Sequence, residues 1–176
     1  MKKVLVIVFV LAFVFVPKAT VSAQKFALVD MEYVLKNIPA YERANEQLNQ
    51  LSKKWESEVQ AILNEVESLY KKYQSETVFL SDAQKKKAEE NIIEKEKQAS
   101  ELKKKYFNSE GELYKKRQAL MAPIQDEIYN AVKDICDQKG YQLVLDRASG
   151  GSIIYASPKI DISDEVLQKL GYSTNY

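Results

Sequence analysis

From Ala40 to Glu110 the chain contains neither glycine nor proline, the two residues that most often break or end a helix. Over the same stretch apolar residues return every three or four positions. Tyr41, Ala44, Leu48, Leu51, Trp55, Val59, Ile62, Val66, Leu69 and Tyr73 trace one seam, and glutamate, lysine, glutamine, asparagine and serine dominate the positions between. That spacing averages about 3.6, the helical period. It predicts a helix far longer than the usual 11–12 residues. One thin seam cannot build a globular core, so such a helix must fold back on itself, pair with other chains, or do both.

The seam gives out at Thr77-Val78-Phe79-Leu80. Ser81-Asp82-Ala83-Gln84 then carries the serine and the glutamine three residues later that mark a capping box. A second helix is expected from there to Lys139-Gly140, where glycine supplies the usual left-handed C-cap. Its seam runs through Ala88, Ile92, Ala99, Leu102, Tyr106, Leu113, Leu120, Ile124, Ile128, Ala131 and Ile135, with gaps at Lys95, Ser109 and Arg117. A hairpin with its tip near residue 80 pairs positions whose numbers sum to about 160. Pro123 then lies level with residue 37, next to Pro39, and Gly111 opposite residue 49 in a helix interior. At ~1.5 Å per residue the arm from Pro39 to the tip is about 60 Å long.

The two chain ends supply the base. Lys25 to Asp30 reads as a strand and Met31 to Asn37 as a short helix. Tyr141 to Asp146 and Ile153 to Ala156 read as strands joined through Gly150-Gly151, forming a hairpin. Asp161 to Leu170 reads as a closing helix with Ser163 at its N-cap. Strands from both ends must therefore meet, with the arm inserted between them. Three strands are marginal alone, and oligomerisation is the natural remedy. The fold class is α+β: a long antiparallel helical hairpin set into a small β-body that other copies complete. The divisions are 1–23 for a targeting segment, 24–38 and 123–176 for the body, and 39–122 for the arm with its tip at 78–82.

Residues 1–23 have the layout of a cleaved signal peptide. Lys2 and Lys3 precede an apolar run from Val4 to Val16, within the roughly 7–15 residues of a secretory segment and short of the ~18–20 that span a bilayer. Val21-Ser22-Ala23 suits peptidase cleavage, and an uncleaved anchor is the alternative. Export leaves about 150 residues, one domain plus an extension. The whole chain has 26 basic and 25 acidic residues. Loss of the three lysines in the leader makes the remainder slightly acidic, which is no nucleic-acid footprint. A single cysteine, Cys136, excludes an intramolecular disulfide, and its helical surroundings suit a buried thiol.

The chain has no histidine, so His-based triads and most zinc sites are excluded. It has no Gly-x-x-x-x-Gly-Lys phosphate loop. Paired carboxylates such as Glu89-Glu90 alternate with lysines as on a solvated helix face. Asp30 and Asp146 end their strands, either as caps or in a joint acid/base or metal role. Lys85-Lys86-Lys87, just past the tip, is a solvated run or an anionic-lipid contact. No catalytic residue, metal or cofactor is expected.

Phe26-Ala27-Leu28-Val29-Asp30 and Asn37-x-Pro39-Ala40-Tyr41, followed late in the chain by Pro123-Ile124-Gln125, Gly140-Tyr141-x-x-Val144-Leu145-Asp146 and Asp161-Ile162-Ser163, give a pattern that resembles the Skp/OmpH family of periplasmic chaperones. The resemblance implies a jellyfish-shaped homotrimer whose β-body holds three helical arms around a cavity. It implies an ATP-independent holdase for unfolded outer-membrane β-barrel proteins. Members of the family are strongly basic and this chain is not, so no lipopolysaccharide or membrane contact is carried over. Client contacts are expected at Val78, Phe79 and Leu80 on the tip and at Tyr70, Tyr106 and Phe107 along the arm, hairpin packing being the alternative for Tyr70 and Tyr106. Gly111 and Pro123 are expected to let the arm flex. The rival reading is a structural or adaptor coiled coil of the envelope.

Overall fold

The computed structural model describes residues 24–150 and 153–172. The targeting segment expected over 1–23 lies outside the described residues. The elements in chain order are β1 (Lys25–Val29), α1 (Met31–Lys36), α2 (Pro39–Glu76), α3 (Asp82–Phe107), α4 (Glu112–Lys139), β2 (Tyr141–Asp146), a 3-10 turn (Pro158–Ile160) and α5 (Ser163–Lys169).

Helix α2 is 38 residues long, about 57 Å at the helical rise. Pro39 opens it at a position where the missing N–H costs nothing. Every predicted seam residue on α2, and on the returning strand of the hairpin, is buried or half-buried. The pairing rule is met by contacts across the arm. Lys95 Nζ reaches Glu65 at 2.6 Å, Trp55 stacks on Tyr106, and the Tyr73 hydroxyl donates to Glu89. Lys95, a gap in the apolar seam, is thus filled by an ion pair.

The returning strand of the hairpin is not one helix but two. α3 stops at Phe107, residues 108–111 form a turn, and α4 begins at Glu112. Gly111 is the N-cap of α4, with φ −70° and ψ 174°, and is buried. The helix-interior assignment of Gly111 is therefore corrected: the predicted gap at Ser109 is a real break, because Asn108-Ser109 can satisfy backbone groups locally and so competes with the helix. The Asn108 carboxamide oxygen accepts from the Ser109 N–H at 2.7 Å. Pro123 lies inside α4, which continues through it. Gly140 ends α4 at φ +71°, the left-handed cap its sequence foretells.

At the base β1 and β2 pair in parallel, Phe26 opposite Leu143 and Val29 opposite Asp146. All of α1 to α4 lies between them in sequence, so the arm is an insertion between two adjacent strands. The expected hairpin of Tyr141–Asp146 with Ile153–Ala156 is not formed. Residues 153–157 join no strand, and Ile154 is 100 % and Tyr155 84 % exposed. Instead the segment beyond takes the other side of β1, where the Ile162 N–H donates to the Leu28 carbonyl at 2.9 Å. Ser163 is not a cap but the first residue of α5; its N–H is held by the Asp161 carboxylate at 2.9 Å. The core gathers Ala27, Val29, Val34, Ile38, Ile124, Ile128, Ile162, Val166 and Leu167, residues from both chain ends and from the foot of the arm.

Candidate functional site

Three surfaces stand out among the described residues. The first is the tip. Val78 and Phe79 are 77 % and 85 % exposed at the turn between α2 and α3. Two such side chains cost free energy in water, about 25 cal/mol per Å² of apolar surface. Leu80 is different: half-buried, it closes a small hollow of about 220 Å³ with Leu69, Tyr73, Ala88 and Ile92. Tyr70 is half-exposed and Phe107 partly covered.

Tyr106 does not face outward. It is buried against Trp55, ring centroids 4.8 Å apart and planes 5° from parallel, and its hydroxyl donates to Glu58 at 2.7 Å. The neighbouring carboxylate raises the Tyr106 pKa, because it accepts that proton. Hairpin packing, not an open client contact, is what the structure gives Tyr106. A stacked aromatic pair with a charged acceptor beside it clamps the arm just above the 108–111 break.

The second surface is the joint. A Cβ on Gly111 would stand 2.7 Å from the Tyr106 carbonyl oxygen and 2.9 Å from the Asn108 nitrogen. Only glycine fits there without moving backbone. α3 and α4 therefore meet at a four-residue turn, close to the clamp on one side and to the seam of α4 on the other.

The third is the body. Asp30 caps α1, its carboxylate accepting from the Tyr33 N–H at 2.8 Å and from Arg147 Nε at 3.0 Å. The Tyr33 N–H and then the Arg147 guanidinium hold Asp30 below the ordinary carboxylate value, against the opposing pull of its partial burial. Asp146 accepts from the Met31 and Ala148 N–H groups. Arg147 also reaches Asp161 at 3.0 Å. Both aspartates singled out in the sequence thus serve as caps and ties. Arg147, which the sequence reading did not single out, joins β1 to the segment before α5; its signal was only a charge placed beside a strand end. Outside this tie, β2 carries Leu143 and Leu145 exposed. Between β2 and α4 runs a groove of about 450 Å³ lined by Tyr129, Val132 and Cys136 among others. Burial, and then Asp137, push the Cys136 thiol up, so it is a weak nucleophile.

A family model described as outer membrane protein (OmpH-like) matches residues 25–170. The chain belongs to the OmpH-like family. Within the curated proteins it is 25% identical over 154 residues to the chaperone protein Skp of Yersinia enterocolitica, covering 86% of this chain and 89% of that one. It is also 25% identical over 151 residues to the chaperone protein Skp of Pectobacterium atrosepticum, covering 85% and 87%. Of the solved structures, a candidate outer membrane chaperone (OmpH-like) from Caulobacter crescentus CB15 superposes with a TM-score of 0.67 over 88% of this chain and 90% of that one, at 10% identity. That last likeness is one of fold. The OmpH-like family match and the inserted helical hairpin on a two-stranded base agree in extent, since both begin at β1 and end with α5.

Proposed function

We propose that this OmpH-like chain is an ATP-independent holdase of the periplasm that keeps unfolded outer-membrane β-barrel proteins from aggregating. The observation that carries the reading is the arm. A hairpin of about 57 Å stands off a base too small to need it. Unfolded barrel strands expose apolar side chains and unpaired edges. A wall of many weak contacts holds such chains by avidity.

The active form is a homotrimer in which three arms enclose the client. The outer side of β2, which no other described strand pairs and where Leu143 and Leu145 are exposed, and the exposed Ile153–Tyr155 segment support assembly through the base. Val78, Phe79, Leu80, Tyr70 and Phe107 contact clients, the first two most directly because they are the most exposed of the five. Gly111 at the joint, with Pro123 below it, lets the arms spread. Residues 1–23 direct export and are removed.

The test is to dilute a urea-unfolded outer-membrane β-barrel into buffer with and without the protein lacking residues 1–23, and to follow light scattering while measuring mass by multi-angle scattering. Suppression at about one trimer per client with no nucleotide is expected. Undiminished scattering refutes the holdase reading and brings forward the adaptor alternative, which the exposed Phe79 at the tip favours.

A further inference from the structure

Five asparagines of the described residues lie inside helices: Asn45, Asn49 and Asn64 in α2, Asn91 in α3 and Asn130 in α4. Asn37 caps the end of α1. Its carboxamide donates to the Tyr33 carbonyl at 2.9 Å, and the β-branched, buried Ile38 follows it. Asn108 differs on each count. It stands at the break between α3 and α4, it is exposed, and the small Ser109 follows it. Its backbone is extended, with φ −66° and ψ 164°. The Ser109 N–H donates to the Asn108 carboxamide oxygen at 2.7 Å, so this nitrogen lies against the preceding side chain instead of joining a helical ladder. The Ser109 hydroxyl donates to the same oxygen at 3.3 Å.

We infer that Asn108 is a site of spontaneous covalent modification, losing its carboxamide nitrogen as ammonia through attack by the Ser109 amide. Water takes the Ser109 N–H proton, and the nitrogen forms a bond to Cγ of Asn108. The Cγ–Nδ2 bond then breaks as Nδ2 takes up a proton and leaves as ammonia, closing a five-membered succinimide. Water opens that ring at either carbonyl and gives aspartate or isoaspartate. One water enters, one ammonia leaves, and nothing is oxidised or reduced. Three features of the joint favour the reaction. The Ser109 nitrogen already lies against its target, which makes the two groups one reacting unit. The Ser109 hydroxyl donates to the oxygen on which negative charge develops. Ring closure also rotates the Asn108 backbone, which helical hydrogen bonds resist and the turn at 108–111 allows. The helical asparagines must first open locally. The product falls where it matters. A new carboxylate at 108 stands at the C-terminal end of α3, where the helix dipole disfavours negative charge. Isoaspartate adds a carbon to the main chain, in a turn where Gly111 has no room even for a Cβ. Modification therefore loosens the joint between α3 and α4 as the protein ages.

The test incubates the folded protein at mildly alkaline pH, with a parallel sample in guanidinium, and maps its peptides by mass spectrometry over time. Chromatography separates aspartate from isoaspartate. Conversion at Asn108 is expected to run about tenfold or more faster than at Asn45, Asn64 or Asn130, the factor that a local opening of about 1.4 kcal/mol imposes on helical sites. The rate at Asn108 should stay within about tenfold of its value in guanidinium. A smaller ratio in the first comparison, or greater protection in the second, overturns the inference. Ser109→Val crowds the attacking nitrogen with a β-branched side chain. It should slow conversion severalfold at an unchanged thermal midpoint, whereas an unaltered rate would mean direct hydrolysis by water and remove Ser109 from the reaction. Asn108→Asp installs one product outright. It should speed hydrogen exchange in residues 104–115 by about fivefold, and unchanged exchange overturns the loosening of the joint.

Discussion

Gly111→Ala probes the joint between α3 and α4 more sharply than any other single change. At φ −70° and ψ 174° the backbone suits every amino acid, so no conformational strain is involved. The cost is contact. The new methyl would lie 2.7 Å from the Tyr106 oxygen and 2.9 Å from the Asn108 nitrogen and the Tyr106 carbonyl carbon. These are main-chain atoms, which no change of rotamer moves. Overpacking of this kind costs about 1–3 kcal/mol. Two relaxations are open. The turn opens away from the Trp55–Tyr106 clamp, or residues 108–111 become helical and α3 and α4 fuse, a change alanine favours over glycine by about 1 kcal/mol. Hydrogen exchange read by mass spectrometry distinguishes them: opening speeds exchange in residues 104–115 and fusion slows it, by roughly 5- to 150-fold for that free energy. Amides of the core stretch 124–135 stay unchanged in both cases. Small-angle scattering of the free assembly should show a wider spread of arms in the first case and a narrower one in the second. Exchange in 104–115 within twofold of the unaltered protein, together with an unchanged spread, would refute both the close packing of Gly111 and its role in arm movement.

Other expectations follow from the same coordinates. Ile128, 1 % exposed at the centre of the base, should cost about 3 kcal/mol as Ile128→Ala, read from the denaturant midpoint; a loss under 1 kcal/mol would mean the base core is not where stability resides. Asp30 is held below its ordinary value of 3.8, so the stability it adds is complete above that pH and falls as pH drops through and below it. Urea unfolding from pH 7 to pH 3 should show Asp30→Asn losing less stability on acidification than the unaltered chain, and parallel losses would contradict the tie to Tyr33 and Arg147. Val78→Ser/Phe79→Ser should raise the concentration needed to suppress barrel aggregation several-fold with no change in melting, whereas an unaltered suppression curve would remove the tip from the client surface. In a double-mutant cycle on Trp55→Leu and Tyr106→Leu, the exchange-derived coupling should fall in the usual range for stacked rings, about 0.5–1.5 kcal/mol, and a coupling near zero would rule out the clamp.

Periodicity made the arm legible because one physical rule acts along all of it. Each seam residue from Tyr41 to Tyr73 must reach the returning helix, and only a three-and-four spacing does that. The tip was equally plain, since Ser81 and Gln84 form a local cap whose chemistry lies within four residues. The base was less so. Tyr141–Asp146 and Ile153–Ala156 share every local mark of a hairpin, yet β2 pairs with β1, more than a hundred residues earlier. Strand pairing is decided by which edges the rest of the fold brings together, and no local pattern encodes that. Tyr106 reads two ways in the sequence for a related reason. An aromatic on a helix reads the same whether it faces solvent or a tryptophan on the partner helix; only the register that sets Trp55 opposite it tells them apart.

The break at 108–111 shows how a local weakness and a global need coincide. Asn108-Ser109 lowers the helical preference of a stretch whose seam also has a gap, and Gly111 lets the chain restart in close contact with Tyr106. Above the break, the arm is held by a narrow seam, the Trp55–Tyr106 stack and ion pairs between exposed side chains such as Lys95–Glu65. Surface pairs of this kind contribute little, so the upper arm is held lightly. Below it, α4 joins a core in which Ile128, Val166 and Leu167 are almost wholly buried. A lightly held segment on a firmly held one, connected through four non-helical residues, bends first at the connection. Bending at 108–111 therefore moves the upper arm and its tip without disturbing the packing of α4 in the base.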